Sequence, residues 1–249
     1  MQPTSTASNP LFDRDFLLST MMGPNCVRFA EELTANIPFS PNMRVLDLGC
    51  GMGLSSIYLA RTFGVRVFAV DLWINPSDNF ARFRDFGLED AVIPLRAEGH
   101  ALPFAEGYFD AVICIDAYHS FGCAPEYLDA HIVPLVKPGG FIAAAIPGLR
   151  QEFTGDIPDE LRPYWQEDIN FHSAGWWAEL WKQSTRAAVR DAFSLRSHKA
   201  AWEDWLQCDN PYAQRDADMM EKAGWRYFDS IGIIATVSPA ACSEPYLLL

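Results

Sequence analysis

The chain has little positive charge. Its 249 residues include 19 Lys and Arg against 32 Asp and Glu, which gives a formal net charge of −13 at pH 7. The basic residues are not gathered in a run, whereas binding to nucleic-acid phosphates needs clustered Lys and Arg. A nucleic-acid partner is therefore not expected, and the acidic balance favours small neutral or cationic substrates.

Cysteine pairs with metal-binding spacing are also missing. The six cysteines are scattered without any C-x-x-C pair, which argues against a zinc site and favours free thiols in a reducing cytosol. The longest apolar run, Phe141 to Ile146, is far shorter than the ~18 residues of a membrane helix. The start of the chain, MQPTSTASNP, lacks the basic and apolar regions of a signal peptide. We expect a cytoplasmic protein with neither a metal centre nor a membrane partner.

The most informative stretch runs from Val45 to Ser56 and reads VLDLGCGMGLSS. Its apolar residues, three alternating glycines and residues able to start a helix predict a strand, a tight turn and a helix. Gly49, Gly51 and Gly53 carry no Cβ, so the turn can reach positive φ and a ligand can lie against the main chain. The stretch predicts a nucleoside-bearing ligand.

Asp47 and Leu54 distinguish between two kinds of nucleotide site. A dinucleotide fingerprint, G-x-G-x-x-G/A, that begins at Gly49 requires a small residue where Leu54 stands. Asp47 precedes the first glycine, where its charge would repel a pyrophosphate and attract an ammonium group. The pattern therefore favours a cationic nucleoside over NAD.

This stretch resembles motif I of the class I S-adenosylmethionine-dependent methyltransferases, (D/E)-x-G-x-G-x-G. The matching residues are Asp47, Gly49, Gly51 and Gly53. Together with three further segments in the same order, the resemblance covers about residues 40 to 148. It implies S-adenosylmethionine as the cofactor, with these four residues and Cys50 in its binding site.

Asp71 ends a nearly continuous apolar strand, Val65 to Val70. It lies about 20 residues past the glycines, where a carboxylate accepts the ribose hydroxyls in nucleotide-binding βαβ units. In the resembling family, Asp71 binds the ribose, and Leu72 and Trp73 border the adenine. For Trp73, a rim aromatic that closes the core is the alternative.

The run from Glu98 to Phe104 resembles the D-A-x-x-L-P-F segment of the subgroup that contains the quinone C-methyltransferases and the sarcosine and glycine methyltransferases. An acid followed by a small residue supplies an acceptor for the exocyclic adenine amine and a backbone N–H for a ring nitrogen. Glu98 and Gly99 hold these positions, with Glu in place of Asp. His100 is expected beside the adenine.

The segment from Gly107 to Asp116 resembles motif IV, a turn and a buried parallel strand that delivers residues to the ligand crevice. Its tip supplies the candidate catalytic residues Asp116, Tyr118 and His119, and Asp116 is also a candidate for cofactor binding. His119 titrates in the range useful for moving a proton, although a histidine packed against the next helix is an alternative. Because side chains alternate along a strand, Asp116 and Tyr118 point away from the side of their neighbours, and neither is expected to reach the substrate.

The tip of that strand has no N-P-P-Y or D-P-P-Y motif. Enzymes that methylate base amines or glutamine amides carry this motif, so its absence disfavours those substrates. Farther along the chain, four tryptophans are candidates for a cage that holds a methylated amine by cation–π contacts: Trp165, Trp176, Trp177 and Trp181. Packing in the core and cap is the favoured interpretation of these residues.

The predicted fold is a Rossmann-like α/β domain with a seven-stranded, mostly parallel sheet, an antiparallel last strand, helices on both faces and a helical cap. Residues 1–10 are expected to be disordered, and residues 11–249 to form one methyltransferase domain. Its expected parts are cap helices (11–37), a cofactor-binding core (40–148), a lid insertion (149–172) and the C-terminal half of the sheet (173–249).

The sequence thus predicts S-adenosylmethionine-dependent methyl transfer to a small-molecule acceptor by in-line displacement. Three alternatives stay open: a non-catalytic S-adenosylmethionine-binding protein, an NAD-dependent oxidoreductase and an aminopropyl transferase. Asp47 and Leu54 disfavour the oxidoreductase, and nothing marks the acidic polyamine site of an aminopropyl transferase. The acceptor, the atom that is methylated, any need for a general base and the oligomeric state are left open.

Overall fold

The computed structural model describes residues 11–166 and 169–239. The strands are β1 (Arg44–Leu48), β2 (Arg66–Asp71), β3 (Val92–Arg96), β4 (Phe109–Ile115), β5 (Val136–Leu149), β6 (Ala187–Ser194) and β7 (Phe228–Val237). The helices of seven residues or more in this part of the chain are α1 (Arg14–Thr20), α2 (Cys26–Thr34), α3 (Leu54–Phe63), α4 (Pro76–Asp85), α5 (Ala174–Trp181), α6 (His198–Trp205) and α7 (Pro211–Met219). The predicted disorder of residues 1–10 falls outside the described residues.

The strands form one sheet in the order β3-β2-β1-β4-β5-β7-β6. The five strands from β3 to β5 pair in parallel, and β7 pairs antiparallel with both of its neighbours. The predicted fold class, a mostly parallel seven-stranded sheet with an antiparallel last strand, is confirmed. The order reverses between β1 and β4, which opens a crevice at the carboxyl ends of these strands.

Alternating side chains on the central strands build an apolar core on each face of the sheet. In β4, Ala111, Ile113 and Ile115 belong to the core on the face covered by α2 and α3, and Val112 and Cys114 belong to the opposite core, covered by α5. A strand buried on both faces needs a continuous apolar run, which is the pattern the sequence shows.

Short helical turns precede two of the strands. A π-helical turn, Leu128–Ile132, and a 3-10 turn, Val133–Leu135, lead into β5. Pro134 has no N–H to donate and its ring obstructs the preceding turn, so a regular α-helix is not favoured there. Residues 225–227 form a helical turn directly before β7.

The α2 helix is held against α6 through Asn25 and Asp204. The backbone N–H of Asn25 donates to the Ala201 carbonyl at 3.0 Å, and its side-chain Nδ2 donates to Asp204 Oδ2 at 2.7 Å. Arg28 Nε donates to the same Asp204 oxygen at 2.5 Å. The N-terminal segment and the α6 region are therefore joined beside the crevice.

Within residues 11–166 and 169–239, no helix is long and apolar enough to cross a membrane. The same residues hold no group of three or more His, Cys, Asp or Glu side chains arranged to bind a metal ion. The cysteines in this part of the chain are free thiols: Cys26, Cys50, Cys114, Cys123 and Cys208. Cys242 lies outside it.

Candidate functional site

A cavity of about 620 Å³ lies at the carboxyl ends of β1, β2 and β4. Its walls come from four parts of the chain: the N-terminal segment around residues 20–26, the loops after the central strands, residues 164–166 with 169–171, and the C-terminal half between residues 202 and 228. Of the residues predicted to bind the cofactor or catalyse, these line the cavity: Gly49, Cys50, Gly51, Asp71, Leu72, Trp73, Glu98, Gly99, His100, Asp116 and His119. Asp47, Gly53 and Tyr118 do not.

The glycine turn between β1 and α3 brings its main chain to the cavity. Gly49 and Gly51 have φ of 75° and 53°, a region that side chains rarely adopt. A Cβ at Gly49 would lie 2.3 Å from the Cβ of Ala117, so only glycine lets the turn pack against the end of β4. A Cβ at Gly51 would approach only the Met22 sulfur, at 3.1 Å. A ligand can therefore approach the backbone at Gly51.

Gly53 has a structural role instead of the predicted contact with the cofactor. Its φ is 88°, and a Cβ there would lie 2.4 Å from Cε1 of Phe83. The residue lets α3 begin directly against α4.

Asp47 lies beneath the turn and not in the cavity wall. Its side chain is fully buried, and its Oδ2 accepts hydrogen bonds from the hydroxyls of Ser55 and Ser56 at 2.7 and 2.6 Å. Oδ1 has no partner, and burial raises the pKa of the carboxyl to about 6. Because Asp47 faces the first turn of α3, it anchors that helix to β1; the geometry does not support the predicted contact with a ligand ammonium group.

Asp71 connects the turn to the loop that follows β2. Its Oδ2 accepts a hydrogen bond from the Gly51 N–H at 2.9 Å, and its Oδ1 accepts from the N–H groups of Trp73 and Ile74 at 2.8 and 3.0 Å. The carboxylate is therefore fixed in the cavity wall, directly beside the main chain of the glycine turn. This is the arrangement that the ribose-binding prediction requires.

Leu72 and Trp73 form an exposed apolar rim next to Asp71. Their exposed fractions are 41% and 74%, and both line the cavity. The alternative for Trp73, an aromatic that closes the core, is not supported because most of the indole faces solvent. An exposed aromatic at a cavity mouth is available to stack on a planar ligand.

Glu98 and His100 pair with each other at the opposite rim. Glu98 Oε1 and His100 Nδ1 lie 2.6 Å apart, and this hydrogen bond lowers the pKa of the carboxyl. Tyr127 donates its hydroxyl to the Gly99 carbonyl at 2.8 Å. Tyr127 thus fixes the main chain of the loop after β3. The carboxylate of Glu98 would accept hydrogen bonds from both His100 and a ligand.

Asp116 is held in an unusual backbone conformation at the end of β4. Its φ is 59°, a strained value for a residue with a side chain, and its N–H donates to the Ala145 carbonyl at 2.8 Å. Its carboxyl has no hydrogen-bond partner within the described residues and lines the cavity. Burial and the charge of Asp216 raise its pKa to about 7.

His119 and Tyr118 lie on different sides of the chain after β4. His119 lines the cavity, its Nδ1 is buried without a partner, and burial lowers its pKa to about 4, so the ring is neutral at neutral pH. Tyr118 packs in the core on the α5 face, beside Trp177 and Trp181. Tyr118 lies in the 3-10 turn that follows β4 and packs into this core, so its position does not support the expected part in catalysis.

The tryptophans of the back half of the chain pack rather than form a cage. Trp177 and Trp181 are buried behind the sheet, and Trp176 stacks on His172 with ring centroids 3.7 Å apart. Trp165 packs edge-on against Phe153. None of the four lines the cavity, so the favoured packing interpretation is confirmed.

The rest of the cavity comes from segments for which the sequence offered no motif. Part of the segment predicted to be a lid lines it, namely Tyr164, Gln166, Ile169 and Phe171. The C-terminal half adds Trp202, Arg215, Asp216, Met219 and Phe228. For the N-terminal segment, the helix break at Met22-Gly23-Pro24 was the one sequence feature that indicated a place in the cavity wall. In α7, no local pattern distinguishes Asp216 from an acid that faces solvent.

Two kinds of sequence comparison agree with this geometry. The family model described as a methyltransferase domain matches residues 46–144. Methyltransferase GfsG from Streptomyces halstedii is 30% identical over 119 residues, 47% of this chain and 42% of that protein. A glycine/sarcosine/dimethylglycine N-methyltransferase from Actinopolyspora halophila is 28% identical over 139 residues, 54% of this chain and 24% of that protein. The chain thus spans less than half the length of either relative.

Solved structures share the fold over most of the chain. Geranyl diphosphate C-methyltransferase from Streptomyces coelicolor A3(2), solved with S-adenosyl-L-homocysteine, has a TM-score of 0.68 and 19% identity, over 84% of this chain and 79% of that one. The cyclase SpnF also has a TM-score of 0.68, with 17% identity over 86% of this chain and 81% of that one. Residues 46–144 thus match a methyltransferase domain, and the strand order of the chain agrees with the fold that these solved structures share.

Proposed function

We propose that the chain binds S-adenosylmethionine in the cavity and transfers its methyl group to a small-molecule acceptor. The observation that carries this proposal is the position of Asp71. Its carboxylate accepts a hydrogen bond from the Gly51 N–H in the cavity wall. A nucleoside that lies against Gly51 has this carboxylate within reach of its ribose.

The residues present suit such a cofactor. Asp71 would hold the ribose, Leu72 and Trp73 would flank the adenine, and Glu98 with the Gly99 main chain would face the adenine edge. Gly51 leaves room for the rest of the nucleoside because it has no Cβ. When bound, S-adenosylmethionine supplies an already activated methyl group on a sulfonium sulfur.

The chain's own contribution is then to orient the acceptor, exclude water and, where necessary, accept a proton. Asp116 is suited to proton exchange, since its pKa is raised to about 7 by burial and by Asp216. His119 stays neutral at neutral pH and is suited to positioning the acceptor. Both roles are part of the proposal.

A second candidate function is cofactor binding without methyl transfer. It is favoured by one observation: the fold is shared with the cyclase SpnF, so the architecture alone does not imply methyl transfer. Such a protein would keep Asp71 and the glycine turn and would differ only in turnover.

Calorimetry with S-adenosylmethionine, S-adenosylhomocysteine and NAD tests the proposal. We expect the first two to bind and NAD not to bind. A small-molecule screen for released S-adenosylhomocysteine then distinguishes a methyltransferase from a binding protein. Binding of NAD alone would overturn the proposal in favour of an oxidoreductase.

The proposal also includes two further points: the protein acts only on small molecules, and it is located in the cytoplasm. The net charge of −13 disfavours nucleic acid as the acceptor. The five free thiols of the described residues are in keeping with a reducing compartment.

A further inference from the structure

Negative charge predominates in the cavity. Among the described residues that line it, four carry carboxyl groups and only Arg215 carries a guanidinium group. The four acids are Asp71, Glu98, Asp116 and Asp216. His119 does not offset this excess, because burial lowers its pKa to about 4 and keeps it neutral.

The four carboxyl groups differ in how well the protein itself satisfies them. Asp71 accepts three backbone N–H groups, and Glu98 is paired with His100. Asp216 accepts one hydrogen bond, from Trp205 Nε1 at 2.8 Å, and Asp116 accepts none. The acceptor capacity that the chain leaves unused therefore lies at Asp116 and Asp216.

These two side chains come from distant parts of the sequence, and both line the cavity. The charge of Asp216 helps to raise the pKa of Asp116, and burial raises the pKa of Asp216 itself. Two further ionisable groups near Asp116, the thiols of Cys26 and Cys114, stay protonated because burial and nearby carboxylates raise their pKa values. Arg215 attracts Asp216 and faces the side-chain amide of Gln166. Within the described residues, no cation is paired with Asp116.

Most of the remaining wall in this part of the chain is apolar. The apolar and aromatic residues that line it include Met22, Ile169, Phe171, Trp202, Met219 and Phe228. Such a surface favours a ligand with a hydrocarbon or aromatic body and adds cation–π attraction for a positive group.

We propose that the methyl acceptor is a primary or secondary amine with an apolar body, whose ammonium group binds between the carboxyl groups of Asp116 and Asp216. The inference rests on the proposed methyl transfer and names the acceptor class for the same cavity. A partly buried carboxylate without a partner is unfavourable in a largely apolar wall, and an ammonium group supplies both the missing charge and the missing hydrogen-bond donors.

The proton balance of this reaction assigns a task to Asp116. An ammonium nitrogen has no lone pair, so one proton passes from it to the Asp116 carboxylate. The freed lone pair forms the new N–CH3 bond as the donor S–CH3 bond breaks, and the electrons of that bond stay on sulfur. The product leaves as a methylated ammonium ion, and Asp116 returns its proton to solvent.

The same charges disfavour an anionic acceptor. A diphosphate needs several cationic partners or a metal ion, and the described cavity wall offers a single guanidinium group. The geranyl diphosphate C-methyltransferase that shares this fold was solved with Mg2+ and geranyl diphosphate. The acceptor preference of this chain is therefore expected to differ from that of this structural relative.

Matched probes test the proposal on protein saturated with S-adenosylhomocysteine. Calorimetry and thermal unfolding compare phenethylamine, phenethyl alcohol and hydrocinnamate, and then hexylamine, hexanol and hexanoate. We expect each amine to bind about tenfold or more tightly than the alcohol with the same body, and the carboxylates to bind weakest. If no amine binds more tightly than its alcohol, the inference is overturned while the proposed function stands.

Three variants assign the effect to the two carboxyl groups. Asp116→Asn and Asp216→Asn should each weaken amine binding about tenfold or more and leave alcohol binding unchanged. Asp209→Asn, at an exposed acid just before α7, is the matched control and should bind like the native protein.

The affinity for S-adenosylhomocysteine separates the inference from the proposed function. Asp216→Asn should leave it unchanged within about threefold. If this variant loses S-adenosylhomocysteine binding although it is folded, Asp216 serves the cofactor and the inference fails. If the native protein does not bind S-adenosylhomocysteine at all, the proposed function fails instead.

Discussion

The carboxyl group of Asp116 lies directly against the main chain of Gly23, so that a Cβ built on Gly23 would stand 2.3 Å from Asp116 Oδ2. Gly23 belongs to the break between α1 and α2, and Asp116 is the left-handed residue at the end of β4. The N-terminal segment can close this side of the cavity only because position 23 lacks a side chain.

Gly23→Ala should therefore destabilise the protein. Asp116 has a short side chain on a constrained backbone and cannot move away easily, so we expect the free energy of unfolding in urea to fall by about 1–3 kcal/mol. Gly155→Ala is the control, since a Cβ there meets nothing within 4 Å. The double variant Gly23→Ala/Asp116→Ala should be less destabilised than the sum of the single changes. Strict additivity would show that the two residues do not compete for space.

Asp71→Ala should weaken cofactor binding. Loss of the charge-assisted hydrogen bonds predicts an affinity for S-adenosylhomocysteine lower by roughly 1.5–3 kcal/mol, measured by calorimetry. Asp90→Ala removes an exposed carboxylate elsewhere and serves as the control. Unchanged affinity in a folded Asp71 variant would refute the ribose-binding role.

Asp47→Asn should change how stability depends on pH. The carboxyl titrates near 3.8 when unfolded and near 6 when folded, so the folded protein holds the extra proton between these values. The native free energy of unfolding therefore falls as pH rises from about 4 to about 6, a change that the Asn variant lacks.

Relative to the native protein, the Asp47→Asn variant should gain on the order of 1–3 kcal/mol across that window, measured by urea unfolding at several pH values. Any constant loss from the new amide group does not affect this slope. Parallel pH profiles of the two proteins would be incompatible with a raised pKa at Asp47.

Tyr118→Phe should have little effect, in contrast to Tyr127→Phe. Both rings pack in the core on the α5 face, but the Tyr118 hydroxyl has no hydrogen-bond partner and the Tyr127 hydroxyl donates to the Gly99 carbonyl. We expect the Tyr127 variant to lose about 1 kcal/mol of stability and the Tyr118 variant to lose less than half of that. A loss of methyl transfer in a stable Tyr118→Phe protein would restore its catalytic role.

Trp73→Ala should weaken S-adenosylhomocysteine binding by about 1–3 kcal/mol, the range for stacking of a base on an aromatic side chain. Tyr212→Ala is the matched control, because this tyrosine is 71% exposed and does not line the cavity. Tryptophan fluorescence of the native protein should change on binding, and that change should be absent in Trp73→Phe. If Trp73→Ala and Tyr212→Ala bind S-adenosylhomocysteine equally well, Trp73 does not contact the adenine.

The part of the site that the sequence predicted well depends on local chain geometry. A strand followed by a glycine turn and a helix places Gly51 at the cavity because these residues adjoin in sequence, and Asp71 follows at the end of the next parallel strand. Asp47, Gly53 and Tyr118 lie outside the cavity wall because the direction of a side chain depends on what packs against each face. The hydroxyls of Ser55 and Ser56 donate hydrogen bonds to Asp47, and Phe83 fills the space beside Gly53.

By itself, the sequence determined the fold class, the order of the central elements and the nucleotide-binding edge of the sheet, because hydrophobic periodicity and glycine positions act over short distances. Only the tertiary structure decided the other half of the cavity. Asp116 lies against Gly23 there and feels the charge of Asp216, and each of these residues is about a hundred positions away in sequence. Packing of the N-terminal segment and α7 against the sheet is set by long-range burial that no local pattern records.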